Sequence, residues 1–112
     1  MINLAAGKCV ACRGGEPKLT GAEIEDLLLH VHQWEVRDVD GMKRLSKSFK
    51  FKNFAQAMEF TNKIGAIAEA EDHHPLITTE WGRVTLKWWT HKIGGLHRND
   101  FIMAAKSDEI YQ

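Results

Sequence analysis

Apolar side chains recur at Ile24, Leu27, Leu28 and Val31, the spacing that lines one face of a helix. Ahead of them Thr20 is followed by Glu23, a pair in which each side chain can satisfy a backbone N–H of the other residue. A helix over about 20–31 is predicted. The period then shortens. In "WEVRDVDGMKRLSKSFKF", Trp34 and Val36, then Leu45, Phe49 and Phe51, alternate with polar residues on either side of Asp40 and Gly41. That is the pattern of a β-hairpin closed by a tight turn.

Helical spacing returns after Asn53, a residue suited to capping a helix N-terminus. Phe54, Ala57, Met58, Thr61, Ile64, Gly65 and Ala68 form one stripe, and the longest helix is predicted over about 54–72. Pro75 is expected to end it, because the residue before a proline is driven out of the α region. His74 should then be extended and His73 should lie at or just beyond the last turn, so the two rings do not share a helical face. A short run at 76–80 and a glycine-centred turn lead into a strand. Its Val84, Leu86 and Trp88 point one way, and Thr85, Lys87, Trp89 and His91 the other. Trp88 is expected in the core, Trp89 beside a pocket or interface, and His91 at the strand's end. Gly94 and Gly95 form a loop, and "HRNDFIMAAKSDEIY" opens a last amphipathic helix with Asp100 in its first turn, where amide dipoles favour a negative charge. The order α-β-β-α-β-β-α predicts an α+β fold, a four-stranded antiparallel sheet with helices packed on one face. Residues 20–112 read as a single domain and residues 1–19 as an N-terminal arm.

Composition narrows the function. The chain has 112 residues, 44% of them apolar and 27% charged, an ordinary balance for one globular domain. Fifteen basic and fifteen acidic side chains cancel, so no global positive field favours nucleic acid or anionic lipid. The opening "MINLAAGKC" lacks the pattern of a secretory leader, and no apolar window approaches the ~18 residues of a membrane span. A cytoplasmic location is expected. Cys9 and Cys12 form one CxxC pair, too few ligands alone for a closed zinc site. Gly14, Gly15 and Pro17 make its surroundings read as a loose arm. A structural or incidental role, part of a metal site and a redox role all remain open for the pair.

Candidate chemistry concentrates in "EAEDHHPLITTEWG". Histidine exchanges protons near neutral pH, and several around one pocket can run proton transfers in both directions. His73 and His74 at a helix–strand corner, with His91 at a strand end, fit that use. The alternatives are a ring that caps the helix C-terminus beside a solvated one, or metal binding. Adjacent histidines diverge, however, and lack the usual metal-ligand spacings.

"EAEDHHP" followed by "EWGRVTLKWWTHKIGGLHRNDF" resembles the pterin-4a-carbinolamine dehydratase family. The residues that carry the likeness are Glu69, His73, His74, Pro75, Trp81, His91 and Asp100, and it extends over roughly residues 20–108; the CxxC arm is similar to that of bacterial members. The resemblance implies loss of water from a 4a-hydroxytetrahydropterin to give the quinonoid dihydropterin. That reaction belongs to tetrahydrobiopterin recycling for an aromatic amino-acid hydroxylase such as phenylalanine hydroxylase. It implies catalytic roles for His73, His74 and His91, with His73 and His91 as the acid/base pair and His74 chiefly holding the pterin. Glu69 and Asp100 would orient or support them, and Pro75, Thr90, Lys92 and Ile93 would face the substrate, with Trp81 against the flat ring. It implies no metal or other cofactor and a homodimer or homotetramer. Members can also serve as dimerisation cofactors for a transcription factor's helices, for which the sheet edge or Phe101, Ile102 and Ala105 are candidates. His97 stands where other members usually have a small hydroxyl residue, which is expected to weaken the cap of the last helix.

Overall fold

Thr20 closes the capping box expected of it: its hydroxyl accepts from the Glu23 N–H, and the Glu23 carboxylate accepts from the Thr20 N–H. In the computed structural model, which describes residues 3–10 and 17–111, helix α1 runs Gly21–Leu28. It stops short of the predicted residue 31, but tighter turns at His30 and Val31 follow it and keep Val31 buried. Strands β1 (Glu35–Val39) and β2 (Met42–Lys50) pair antiparallel. Asp40 and Gly41 between them both have positive φ, 53° and 79°, the handedness that matches the strand twist.

Helix α2 spans Phe54–Glu71, and the Asn53 side chain accepts from the Gln56 N–H at its start. Strands β3 (Leu76–Glu80) and β4 (Arg83–Trp88) follow, then a 3-10 turn at His91–Ile93 and helix α3 (Arg98–Tyr111). The four strands form one antiparallel sheet in the order β1-β2-β4-β3. Helices cover one face of it. From the sheet, Leu45, Phe49, Val84, Leu86 and Trp88 meet Ala57, Phe60, Ile64 and Ala68 of α2, and Phe101 and Met103 of α3, in one buried cluster. Each large apolar side chain so buried contributes roughly 1.5–3 kcal/mol. Phe101 and Ile102, read as a surface for a partner's helix, belong to that core and are closed to a partner.

Two ends differ from expectation. Strand β4 stops at Trp88, because its neighbours supply no partner beyond Leu45 and Leu76. Thr90 instead bonds both ways with Gly95, so His91 opens the 3-10 turn and does not close a strand. Helix α2 is ended by Asp72, three residues before Pro75. Asp72 adopts a left-handed conformation (φ 51°, ψ 43°), which aspartate tolerates better than most residues, and the His73 N–H closes the helix end on the Ala68 carbonyl. The N-terminal arm is not loose over residues 3–10: Leu4 enters the core and Lys106 donates to the Ala5 carbonyl. Among the described residues no helix is long and apolar enough to cross a membrane.

Candidate active site

Beyond the left-handed turn at Asp72 the two histidines diverge. His73 turns inward, with 9% of its surface exposed, while His74 faces solvent. The His73 Nε2 lies 2.6 Å from Asp100 Oδ1, and its ring lies parallel to Trp88, with centroids 5.9 Å apart and planes 6° from each other. Asp100 is fully buried. Its Oδ2 accepts from the Thr90 hydroxyl and from the His97 N–H, each at 2.9 Å. A buried carboxylate needs such donors to offset its lost hydration. With Asp100 as acceptor, the Nε2 of His73 carries its proton toward the carboxylate, and Nδ1 is the nitrogen left to exchange a proton with a ligand.

The His97 position also reverses an expectation. Its ring Nδ1 accepts from the Asn99 N–H at 3.0 Å, while Asp100 accepts from the His97 N–H. Together they make a reciprocal cap for α3, so the missing small hydroxyl residue does not leave that end uncapped.

His91, at the start of the 3-10 turn, is exposed and packs on Trp89 with ring centroids 4.5 Å apart. The Arg44 guanidinium lies 4.0 Å from the centroid of the same indole, an attractive placement for a cation. Trp89 is buried by these contacts. His74 Nε2 pairs with Glu69 Oε1 at 2.6 Å, where both side chains remain in solvent.

A cavity of about 400 Å³ brings part of this set together, within the range of small-molecule sites. Of the residues expected at the site, His73, His74, Thr90, His91 and Lys92 line it. Asp100 stands behind His73, and Glu69 reaches the cavity only through His74. Pro75 and Ile93 are not among the lining residues. Nor is Trp81, which sits at the β3–β4 turn with 73% of its surface exposed. The remaining lining residues are Cys9, Val10, Glu71, Asp72 and Asn99, none of them expected from sequence. A larger groove of about 640 Å³ lies among Lys50, Phe51, Phe60, Lys63 and Tyr111. Neither histidine nor cysteine lines it, whereas His73, His74 and His91 all line the smaller cavity.

The Cys9 thiol is pushed up from its ordinary 9.0 to about 12, first by burial and then by the negative charges of Glu71 and Asp100. At neutral pH it is a neutral thiol and a weak nucleophile. Cys12 lies outside the described residues, and among those described no three His, Cys, Asp or Glu side chains converge as a metal site.

The site thus offers one imidazole whose orientation is fixed and a second at the open rim, a pair able to give and take protons on a bound molecule. Comparison with known proteins identifies the family. Residues 17–110 match the family model for pterin 4 alpha carbinolamine dehydratase. A protein of Syntrophotalea carbinolica is 51% identical over the whole of both chains. One of Marinobacter nauticus is 53% identical over 99% of this chain and all of its own. Both carry the provisional name pterin-4-alpha-carbinolamine dehydratase. Among solved structures, a transcriptional coactivator/pterin dehydratase from Brucella melitensis superposes with a TM-score of 0.77 at 33% identity, covering 86% of this chain and 100% of that one. A pterin dehydratase-like protein identified as a RuBisCO assembly factor in the alpha-carboxysome shares the fold, with a TM-score of 0.61 at 24% identity over 73% of this chain and 93% of its own.

Proposed function

The chain belongs to the pterin 4 alpha carbinolamine dehydratase family, and we propose that it dehydrates a 4a-hydroxytetrahydropterin with His73 and His91 as its acid/base pair. The C4a–O bond breaks as the departing oxygen gains a proton, N5 loses its proton, and a C4a–N5 double bond forms. Water and the quinonoid dihydropterin are the products. No electrons are exchanged with another molecule, so one acid and one base suffice. The observation that best supports the reading is the His73 ring, fixed between Asp100 and Trp88 at the wall of a cavity that His91 also lines. A fixed ring presents Nδ1 to the substrate without reorganising during the reaction. His74, steadied by Glu69, holds the pterin, and Thr90 and Lys92 complete the polar lining. On this reading the protein works in the cytoplasm as a homodimer or homotetramer and returns the pterin of an aromatic amino-acid hydroxylase to use.

The test is the decay of freshly generated 4a-hydroxytetrahydropterin, followed by absorbance against the spontaneous rate. The protein should accelerate it, and His73→Ala should lower kcat by about 10²-fold or more with an unchanged circular dichroism spectrum. A folded protein that gives no acceleration, or a His73→Ala variant with full activity, would sink the proposal.

An interaction module is the second reading, prompted by the Brucella protein described as a transcriptional coactivator. Phe54 and Met58 are exposed one turn apart on α2, and they offer the apolar helix face that Phe101 and Ile102 do not. Capture of a partner helix that is lost in Met58→Asp but kept in His73→Ala would favour it.

A further inference from the structure

Between the 3-10 turn at Leu4–Ala6 and the start of α1, the described chain joins no helix or strand, so its backbone groups need partners from elsewhere. At Cys9 and Val10 they find them in side chains far along the sequence. The Val10 N–H donates to Asn99 Oδ1 at 3.1 Å, and Asn99 Nδ2 donates to the Val10 carbonyl at 2.8 Å. The Cys9 N–H donates to Glu71 Oε1 at 2.8 Å. Asn99 is 2% exposed, so its amide is committed to holding one residue of the arm as a strand neighbour would. Upstream, Leu4 is in the core, and Gly7 passes so close to α3 that an added Cβ would stand 3.3 Å from Ile102 Cδ1.

This docking gives the cavity something its other walls lack. Every lining residue from α2, the β4 end and α3 is polar or charged, and among the described residues only Cys9 and Val10 line it with apolar side chains. Sites for flat organic molecules rely on apolar contact, with a few polar groups to orient the ligand. Val10 is bonded at both its backbone groups yet has 61% of its surface exposed, an apolar side chain held open where a ligand would cover it.

We infer that Cys9 and Val10 form the apolar wall against which the reduced pterin packs, and that Asn99 and Glu71 are positioning residues that fasten this wall to the site. The inference rests on the reading of the cavity as the dehydratase site. Asn99 and Glu71 line the cavity too, but their side chains are engaged by the arm's backbone and take no part in the proton transfers.

Two measurements test it. In the dehydratase assay, Val10→Asp should raise KM about tenfold, as the loss of an apolar pocket contact does. It should leave kcat within about twofold, because uniform binding is what is lost. Val10→Ile should restore the KM. Val10 is exposed, so these variants do not depend on a fold that tolerates a core change. Independently, iodoacetamide labelling of Cys9, resolved from Cys12 by peptide mass spectrometry, reports the arm directly. The neutral, half-buried thiol should label slowly, more slowly still with saturating 7,8-dihydrobiopterin, and about tenfold faster in Asn99→Ala, where the docked arm opens. An unchanged KM in Val10→Asp together with Cys9 labelling indifferent to dihydrobiopterin would overturn the inference while leaving the dehydratase assignment standing. Absence of turnover by the unmutated protein with Cys9 still protected by dihydrobiopterin would overturn the assignment and support the wall as part of a pterin-binding site.

Discussion

At the scale of the residue, Asp100 sets what His73 can do. Its two oxygens take the His73 ring, the Thr90 hydroxyl and the His97 N–H. In Asp100→Asn the new amide N–H would face either a donor hydroxyl and N–H or the His73 Nε2, and in the second case it would force the ring's proton onto Nδ1. Nδ1 would then meet the substrate already protonated, unable to accept a proton from it. We expect kcat to fall by about 10²-fold or more while the fold is kept, read by single-turnover absorbance beside circular dichroism; an Asn variant with full kcat would show the tautomer to be unimportant. The histidines drew attention in the sequence by their proton chemistry, but Asp100 read by itself only as a first-turn charge and joined them through the family resemblance, because nothing local shows that its carboxylate is buried. Asn99 could not be read from the sequence. Its task is to hold Val10, 89 residues away, and nothing local distinguishes it from any polar residue in a first helical turn. Trp81 shows the converse: the resemblance implies it as a stacking partner, but it sits exposed at the β3–β4 turn and is not among the residues that line the cavity.

Among the elements, the end of α2 governs the site. Proline marked the boundary in the sequence, but the turn that aims His73 inward is made by Asp72 at φ 51°. A left-handed backbone costs a β-branched residue more than aspartate, so Asp72→Val should lower stability by roughly 1–2 kcal/mol and Asp72→Gly should not. Urea unfolding followed by Trp fluorescence measures both, and equal midpoints for Val and Gly would refute the account. The caps at Thr20 and Asn53 were legible because Thr and Asn cap by a local geometry that sequence spacing reveals. The cap at His97 was hidden, since imidazole accepts a backbone N–H only when its other surroundings, here the α3 start and Asp100, fix the ring.

For the whole molecule, alternation along β2 and β4 and the stripe on α2 were enough to anticipate one sheet with helices on one face, because Leu45, Phe49, Val84, Leu86 and Trp88 and, on α2, Ala57, Ile64 and Ala68 share a single core, although Phe54 and Met58 of that stripe stay exposed. The arm escaped that logic. Its contacts to Glu71, Asn99 and Lys106 join positions that no local pattern links. Asp100 belongs to both accounts: the carboxylate that orients His73 also joins the end of α2, the loop after β4 and the first turn of α3. Heat should therefore find no separate weak point around His73 and Asp100. Residual dehydratase activity and far-ultraviolet ellipticity should decay with the same midpoint on warming, whereas inactivation several degrees ahead of unfolding would mean that this carboxylate is a passenger in the fold and not one of its fastenings.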